Sequence, residues 1–358
     1  MTAMPSPIGP SDSIARVNDP LAGQPYRALR RLGTGGMAEV FLAEHREHGG
    51  LCVAKIQHAR LSGDPGVSDR LRLEAESLSR LNDPHIVTLI GYGQTLDGRP
   101  YLVMEYLQGQ TLADELAARG QLPLPEALSF TCQLLRALAA AHALGIVHRD
   151  IKPDNLFLCD GPRGSRRLKV LDFGVARVTP EAELLGANPP LVPTSTGMVV
   201  GTLRYMSPEG ALAQRVDHRA DLYSAGLVLY LAIAGRGPFD HIQGARLLLS
   251  AHVAEQPAPP SRFSRAAIPA ELDRALLRTL RKLPDERFQS ADELREQLEQ
   301  IMSQLGHTPT APEPRAAVAL KQPPAQLSQP NVALIFCSSA LVTAAAAAGV
   351  VALLRGGF

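Results

Sequence analysis

Eight consecutive residues, His148-Arg149-Asp150-Ile151-Lys152-Pro153-Asp154-Asn155, place an acid, a cation and a metal-capable amide within one short stretch. Asp150 can accept a proton from a hydroxyl nucleophile. Lys152 can hold a phosphate in transit. The amide oxygen of Asn155 is a hard ligand of the kind Mg²⁺ takes. Seventeen residues after Asn155 comes Asp172-Phe173-Gly174, a second metal-capable acid beside a glycine. A base, a positioning cation and two metal ligands are what phosphoryl transfer from ATP requires.

The elements upstream suit the same chemistry. Gly33-Thr34-Gly35-Gly36-Met37-Ala38-Glu39-Val40 lies between two predicted strands, Arg27–Leu32 and Ala38–Glu44. Glycines there let backbone amides approach a phosphate without a Cβ clash. By itself the segment reads equally as a hairpin turn. A third short strand, Leu51–Ile56, carries Lys55, 22 residues after Gly33. A lysine in an apolar strand is costly unless it is paired or functional. Ser68–Leu81 has helical spacing, and Tyr101–Tyr106 reads as a buried strand. Helices are then expected at Thr111–Arg119, Pro125–Leu144, Asp221–Ala234, His241–His252, Pro269–Leu280 and Ser290–Gln304. A small β-rich part before a larger helical part suits a cleft that holds a nucleotide.

With these residues in this order, the stretch from about 26 to 303 resembles the eukaryotic-like (Hanks-type) Ser/Thr protein kinases of bacteria, particularly the membrane-anchored kind. The resemblance implies an α+β, two-lobed protein kinase fold, with an N-lobe over about 26–106 and a C-lobe over about 107–303. It implies ATP and Mg²⁺ as cofactors and proteins as substrates. Asp150 would be the base, with Lys152 beside it, and Lys55 would hold the α- and β-phosphates. Lys55 would pair with Glu74, or failing that Glu76. Asn155 and Asp172 would hold the metal. The nucleotide would lie against Gly33, Thr34, Gly35, Gly36, Met37, Ala38, Val40 and Val53. Met104 would be the gatekeeper, and backbone groups of Glu105 and Leu107 would meet adenine. Two positions depart from the family pattern: Ala38 stands where a third glycine is usual, and Val53 where an alanine is.

The segment from Asp172 to Ser207-Pro208-Glu209 resembles an activation segment. Thr202 would bond the catalytic Asp and Lys. Glu209 would pair with Arg287 in a buried structural contact, and Asp221 would brace the catalytic-loop backbone. Thr194, Ser195 and Thr196 follow a Pro- and Glu-rich stretch. A phosphate on one of them would give Arg149 a dianionic partner.

Composition sets the frame. The 358 residues carry a net charge of +1, which argues against a nucleic-acid partner. Cys52, Cys132, Cys159 and Cys337 show no metal-ligand spacing and read as a reduced set. Residues 1–25 read as a flexible arm without a signal peptide. Residues 304–331 read as a proline-rich linker, six prolines falling between 306 and 331. Val332–Leu354 runs for 23 residues without a charge. That length suffices to span a bilayer core of about 30 Å. The expectation is a single C-terminal transmembrane helix with a short tail, 355–358, tethering a cytoplasmic kinase domain to the cell membrane. A homodimer is compatible with such a tether. Two rivals are a pseudokinase scaffold, which intact Lys55, Glu74, Asp150, Asn155 and Asp172 disfavour, and a small-molecule kinase, which Lys152, Thr202 and the complete Ser207-Pro208-Glu209 segment disfavour.

Overall fold

A computed structural model describes residues 19–35, 38–59, 75–76, 79–172 and 203–306. The described residues up to Glu105 build an antiparallel sheet. Its strands are β1 (Tyr26–Thr34), β2 (Ala38–His45), β3 (Leu51–Gln57), β4 (Leu89–Gln94) and β5 (Pro100–Glu105), in the order β1-β2-β3-β5-β4. The period of two along β3 decides the position of its lysine. Cys52, Ala54 and Ile56 join Tyr26, Phe41, Tyr101 and Val103 in a core on one face. Val53 joins Leu32, Val40 and Met104 on the other, which looks into the cleft. Lys55 shares the parity of Val53.

The rest is mostly helical: α1 (Leu112–Arg119), α2 (Leu124–Ala143), α3 (Arg219–Ala234), α4 (Ala245–Ala254), α5 (Ala270–Thr279) and α6 (Ala291–Gln304). Thr111 caps α1 in a reciprocal box with Asp114, and Ser290 caps α6 by accepting from the Glu293 amide. Helix α3 is the central post. Fourteen of its 16 residues are buried, so it has no polar face to show water. Gly226 permits its close packing: a Cβ there would lie 2.7 Å from the Thr279 side chain of α5. The main core lies among α2, α3, α5 and α6, with Leu128, Leu135, Leu222, Leu229, Leu276 and Leu298 nearly inaccessible.

Three departures from expectation stand out. The helix expected over His241–His252 starts later, at Ala245, because Gly244 precedes it at φ 92, a left-handed conformation that breaks helical continuity. A second sheet also went unpredicted, made of β6 (Gly109–Thr111), β7 (Leu156–Asp160) and β8 (Arg166–Val170). Its three- and five-residue strands are too short to show a period. Edge strand β4 was missed as well, since its glycines at 91 and 93 mask the alternation. Among the described residues no helix is long and apolar enough to cross a membrane. The segment Val332–Leu354 lies outside the described residues, as do the 1–18 arm and the linker beyond residue 306.

Candidate active site

The small second sheet explains the spacing of the motifs. Strands β7 and β8 form a hairpin in which Leu156 pairs with Val170. The Leu171 amide then donates to the Asn155 carbonyl at 2.8 Å. Seventeen residues of chain are therefore folded back on themselves, and Asn155 and the segment entering Asp172 emerge side by side. In the upper sheet, Gly33 pairs with Val40, Val40 with Lys55 and Lys55 with Leu102, so the glycine-rich turn and the lysine share one register line.

Lys55 meets Asp172 across the cleft, with Nζ 2.9 Å from Oδ1. The side chains are 8% and 16% exposed, enough for a ligand to reach them and little enough for charge to act strongly. Its expected partner Glu74 lies outside the described residues. Glu76, the second choice, is half-buried, whereas Ala75 beside it is fully buried against Leu102.

In the catalytic loop, Lys152 Nζ lies 3.1 Å from Asp150 Oδ2. The Asn155 amide nitrogen donates to the Asp150 carbonyl oxygen at 2.8 Å and to its carboxylate at 3.1 Å. With its NH₂ used inside the loop, Asn155 has its oxygen as the end suited to a hard cation. Asn155 and Asp172 together supply one amide and one carboxylate oxygen, a donor set fitting a Mg²⁺ that completes its shell with phosphates and water. Among the described residues no cluster of three His, Cys, Asp or Glu forms a protein-only metal cage.

The loop is held in a conformation it would not adopt alone. Arg149 sits at φ 64 and Asp172 at φ 44, both left-handed. Such residues cost about 1–3 kcal/mol each and persist only where their surroundings over-determine them. Asp221, at the start of α3, supplies that determination for Arg149. Its Oδ2 accepts from the His148 amide at 2.8 Å and its Oδ1 from the Arg149 amide at 2.8 Å. His142 Nε2 also lies 2.8 Å from Oδ2. Burial alone would raise the Asp221 pKa, but the hydrogen bond from His142 and the Arg149 amide outweigh it, and the pKa is lowered. His148 has its pKa lowered by burial and stays neutral. It accepts from the Asp150 amide through Nδ1 at 3.2 Å, leaving Nε2–H to meet the Leu171 carbonyl at 2.9 Å.

Glu209 and Arg287 form the expected buried pair, bidentate at 2.8 and 2.6 Å. The guanidinium also donates to the carbonyls of Arg281, Arg219 and Lys282. Its five N–H groups thus meet five acceptors.

The apolar part of the cleft is formed by Leu32, Val40, Val53, Val87, Met104, Phe157 and Leu171, with Leu107 packed against them. Val40, Val53, Met104 and Leu107 were named from sequence. Leu32, Phe157 and Leu171 were not, although Phe157 and Leu171 flank the chemical motifs. His58 is another addition: its Nε2 lies 2.8 Å from the Gly35 carbonyl, at the base of the glycine-rich turn. Gly33 and Thr34 end β1, and the amide of the next residue, Gly35, closes the turn on the Ala38 carbonyl at 2.8 Å. Gly36, Met37, Thr194, Ser195, Thr196 and Thr202 lie outside the described residues.

The chain is similar to known proteins. The family described as "protein kinase domain" matches residues 26–304. The chain is 37% identical over 294 residues to the serine/threonine-protein kinase Pkn1 of Myxococcus xanthus, covering 81% of this chain and 40% of that protein. It is 38% identical over 303 residues to PksC of Streptomyces coelicolor, covering 83% of this chain and 52% of that one. It therefore spans about half, or less, of these relatives' length. Among solved structures, the kinase domain of Mycobacterium tuberculosis PknI superposes with a TM-score of 0.58 at 29% identity, covering 77% of this chain and 96% of that domain. A hairpin that aligns Asn155 with the approach to Asp172, a lysine from the opposite lobe on Asp172, and an aspartate holding the catalytic loop from below agree with that match, and the chain belongs to the protein kinase family.

Proposed function

We propose that this chain is a Ser/Thr protein kinase that transfers the γ-phosphate of ATP to hydroxyls of protein substrates. The observation that carries the reading is the convergence of Lys55, Asp150, Lys152, Asn155 and Asp172 from both lobes on one cleft. Asn155 and Asp172 would hold Mg²⁺, which when bound neutralises phosphate charge that would otherwise repel the carboxylates. The residues do the rest. Lys55 presents a cation from the upper lobe to the phosphates. Asp150, oriented by Asn155, receives the proton of the attacking hydroxyl. Lys152 offsets the charge that builds on the transferred group. The apolar cluster around Val53 and Met104 excludes water from the base-binding end of the cleft.

The regulatory reading extends this. Phosphorylation at Thr194, Ser195 or Thr196 would supply Arg149 with an anionic partner, and Thr202 would favour hydroxyl substrates of the Ser/Thr type. Val332–Leu354 would anchor the chain in the cell membrane with the catalytic lobes on the ATP side, where tethering favours a homodimer. Its length and lack of charge support this.

The test is incubation of the full chain with Mg²⁺ and labelled ATP, beside Lys55→Met and Asp150→Asn. Label on Ser or Thr from the parent alone is the expected result. A parent that folds, binds ATP and transfers nothing to itself or to a general protein substrate overturns the catalytic reading. Phosphopeptide mapping that finds Thr194–Thr196 unmodified in active protein overturns the regulatory one. Partition of the full chain, but not residues 1–306, into membranes tests the anchor.

A further inference from the structure

The mechanism uses the backbone of Glu105 but leaves its side chain unexplained. Met104 turns its side chain into the apolar cleft cluster, so Glu105, one residue on, turns its carboxylate to the other side. There Oε1 accepts from the Thr88 amide at 2.7 Å and from Lys169 Nζ at 2.7 Å. The Glu105 amide in turn donates to the Thr88 carbonyl at 3.0 Å. Lys169 adds a bond to the Ile86 carbonyl at 3.2 Å. The lysine side chain is 11% exposed and the glutamate 29%.

These atoms belong to three pieces of chain. Glu105 is the last residue of β5 in the upper sheet. Residues 85–88 are the connection leading into β4. Lys169 is in β8 of the lower sheet, three residues before Asp172. The connection is already sewn to β8, the Val87 amide donating to the Val170 carbonyl at 3.0 Å and the Val170 amide to the His85 carbonyl at 2.7 Å. The Lys169–Glu105 bond takes the further step of tying β8 to the strand that runs into Tyr106 and Leu107.

We propose that Glu105 and Lys169 form a lobe-to-lobe positioning pair that fixes where the chain leaving β5 presents its backbone to the nucleotide base. It rests on the kinase reading, since the base is adenine only if ATP is the ligand. The pair acts on binding geometry and touches no reacting atom. Its rupture therefore moves nucleotide affinity more than turnover. Replacing the lysine by methionine keeps its apolar stem packed while removing the charge. Arginine restores a cation whose fork can reach the same carboxylate.

The experiment measures the ATP Kd by titration calorimetry on the full chain, and the KM for ATP and kcat by phosphotransfer. The proteins are parent, Lys169→Met, Lys169→Arg and the exchange Glu105→Lys/Lys169→Glu. Lys169→Met is expected to raise Kd and KM about 3- to 10-fold, with kcat within about 2-fold, as befits loss of a half-buried ion pair. Lys169→Arg is expected to recover most of that loss, and the exchange part of it. An unchanged Kd in a folded Lys169→Met overturns the proposal. So does a fall in kcat and Tm with Kd unmoved, which marks a purely structural pair. If the parent binds ATP without transferring phosphate, the catalytic reading fails while the Kd comparison still decides this one.

Discussion

Two carboxylate–cation contacts in the lower lobe are built to opposite ends. Glu209 and Arg287 come from elements 78 residues apart, are 4% and 0% exposed, and meet through two bonds. The remaining guanidinium N–H groups are matched by carbonyls. Asp150 and Lys152 lie two residues apart on one loop and meet through one oxygen at 3.1 Å, and that loop faces the cleft. The first contact is closed on every side and can do nothing except hold. The second keeps an acid and a cation together where a substrate can take over their interactions. A buried ion pair thus reads as structure or as chemistry according to what surrounds it.

The comparison breaks most visibly on the catalytic side. Asp150→Asn keeps size and much of the hydrogen bonding but removes the proposed proton acceptor. Phosphotransfer should fall about 10²- to 10⁴-fold, the range of general-base contributions, with little change in Tm. An Asp150→Asn protein retaining near-parental kcat would remove Asp150 from the mechanism.

Arg287→Ala should act in the other currency. It strands the Glu209 carboxylate and three carbonyls in the interior, and breaking such a pair costs about 3–5 kcal/mol. Urea unfolding should show this in the midpoint, while the molecules still folded bind nucleotide as before. Asp221 falls between the two, because it is buried like Arg287 yet holds the loop that carries Asp150. Asp221→Asn leaves at least one of its donors unmatched, for about 1–3 kcal/mol. It should also lower kcat, since the left-handed Arg149 loses its restraint. A kcat unaffected by Asp221→Asn would mean the loop holds its conformation without this brace.

The distinction between holding and reacting was partly legible in the sequence. The residues proposed to react are dense and local: eight positions from His148 to Asn155 and three from Asp172 carry that chemistry in their types and spacing. The holding residues Glu209, Arg287 and Asp221 were legible only through family resemblance, because contacts 72 to 78 residues apart leave no local mark. The β7–β8 hairpin was missed although it sets the distance between the two motifs, for its strands of five residues are shorter than any pattern can certify. Leu32, Phe157 and Leu171 escaped for a related reason. An apolar residue beside a motif looks like any core residue until the two lobes are brought together. The Lys169–Glu105 bond had no signal at all, since each residue alone reads as an ordinary charged position near a strand end.

Smaller effects come from pH. His252 is fully buried, and burial, with the Lys282 ammonium beside it, lowers its pKa from 6.5 to about 3. The folded chain therefore keeps it neutral while the unfolded chain takes up a proton below pH 6.5. Stability is undiminished above that value and falls as pH drops from 6.5 toward 3. At pH 5 this one group costs about 2 kcal/mol. His85 and His148, also lowered by burial, act with the same sign. Glu115 works in a lower window: the Arg166 bond, aided by Arg119 and Gln110, holds its pKa near 2 against an ordinary 4.5, so its contribution is lost only as pH falls from 4.5 toward 2. Urea midpoints between pH 7.5 and 5 should therefore fall for the parent and fall less for His252→Gln. Equal slopes would show that His252 titrates normally.

The smallest effect tests the comparison at its opposite pole. Arg27 and Glu44 face each other directly across β1 and β2, their atoms 2.7 Å apart. That is nearly the 2.6 Å of Arg287 and Glu209. If distance set the energy, the two pairs would matter alike. But Arg27 is 56% exposed and Glu44 29%, so water already solvates both charges when they part, and salt screens what attraction remains. Removing Arg27 leaves Glu44 hydrated, whereas removing Arg287 leaves Glu209 with no water to turn to. Arg27→Ala should therefore shift stability by less than about 1 kcal/mol, and by less still in 0.5 M salt. A loss as large as that of Arg287→Ala, persisting in salt, would mean that contact geometry outweighs burial in this fold.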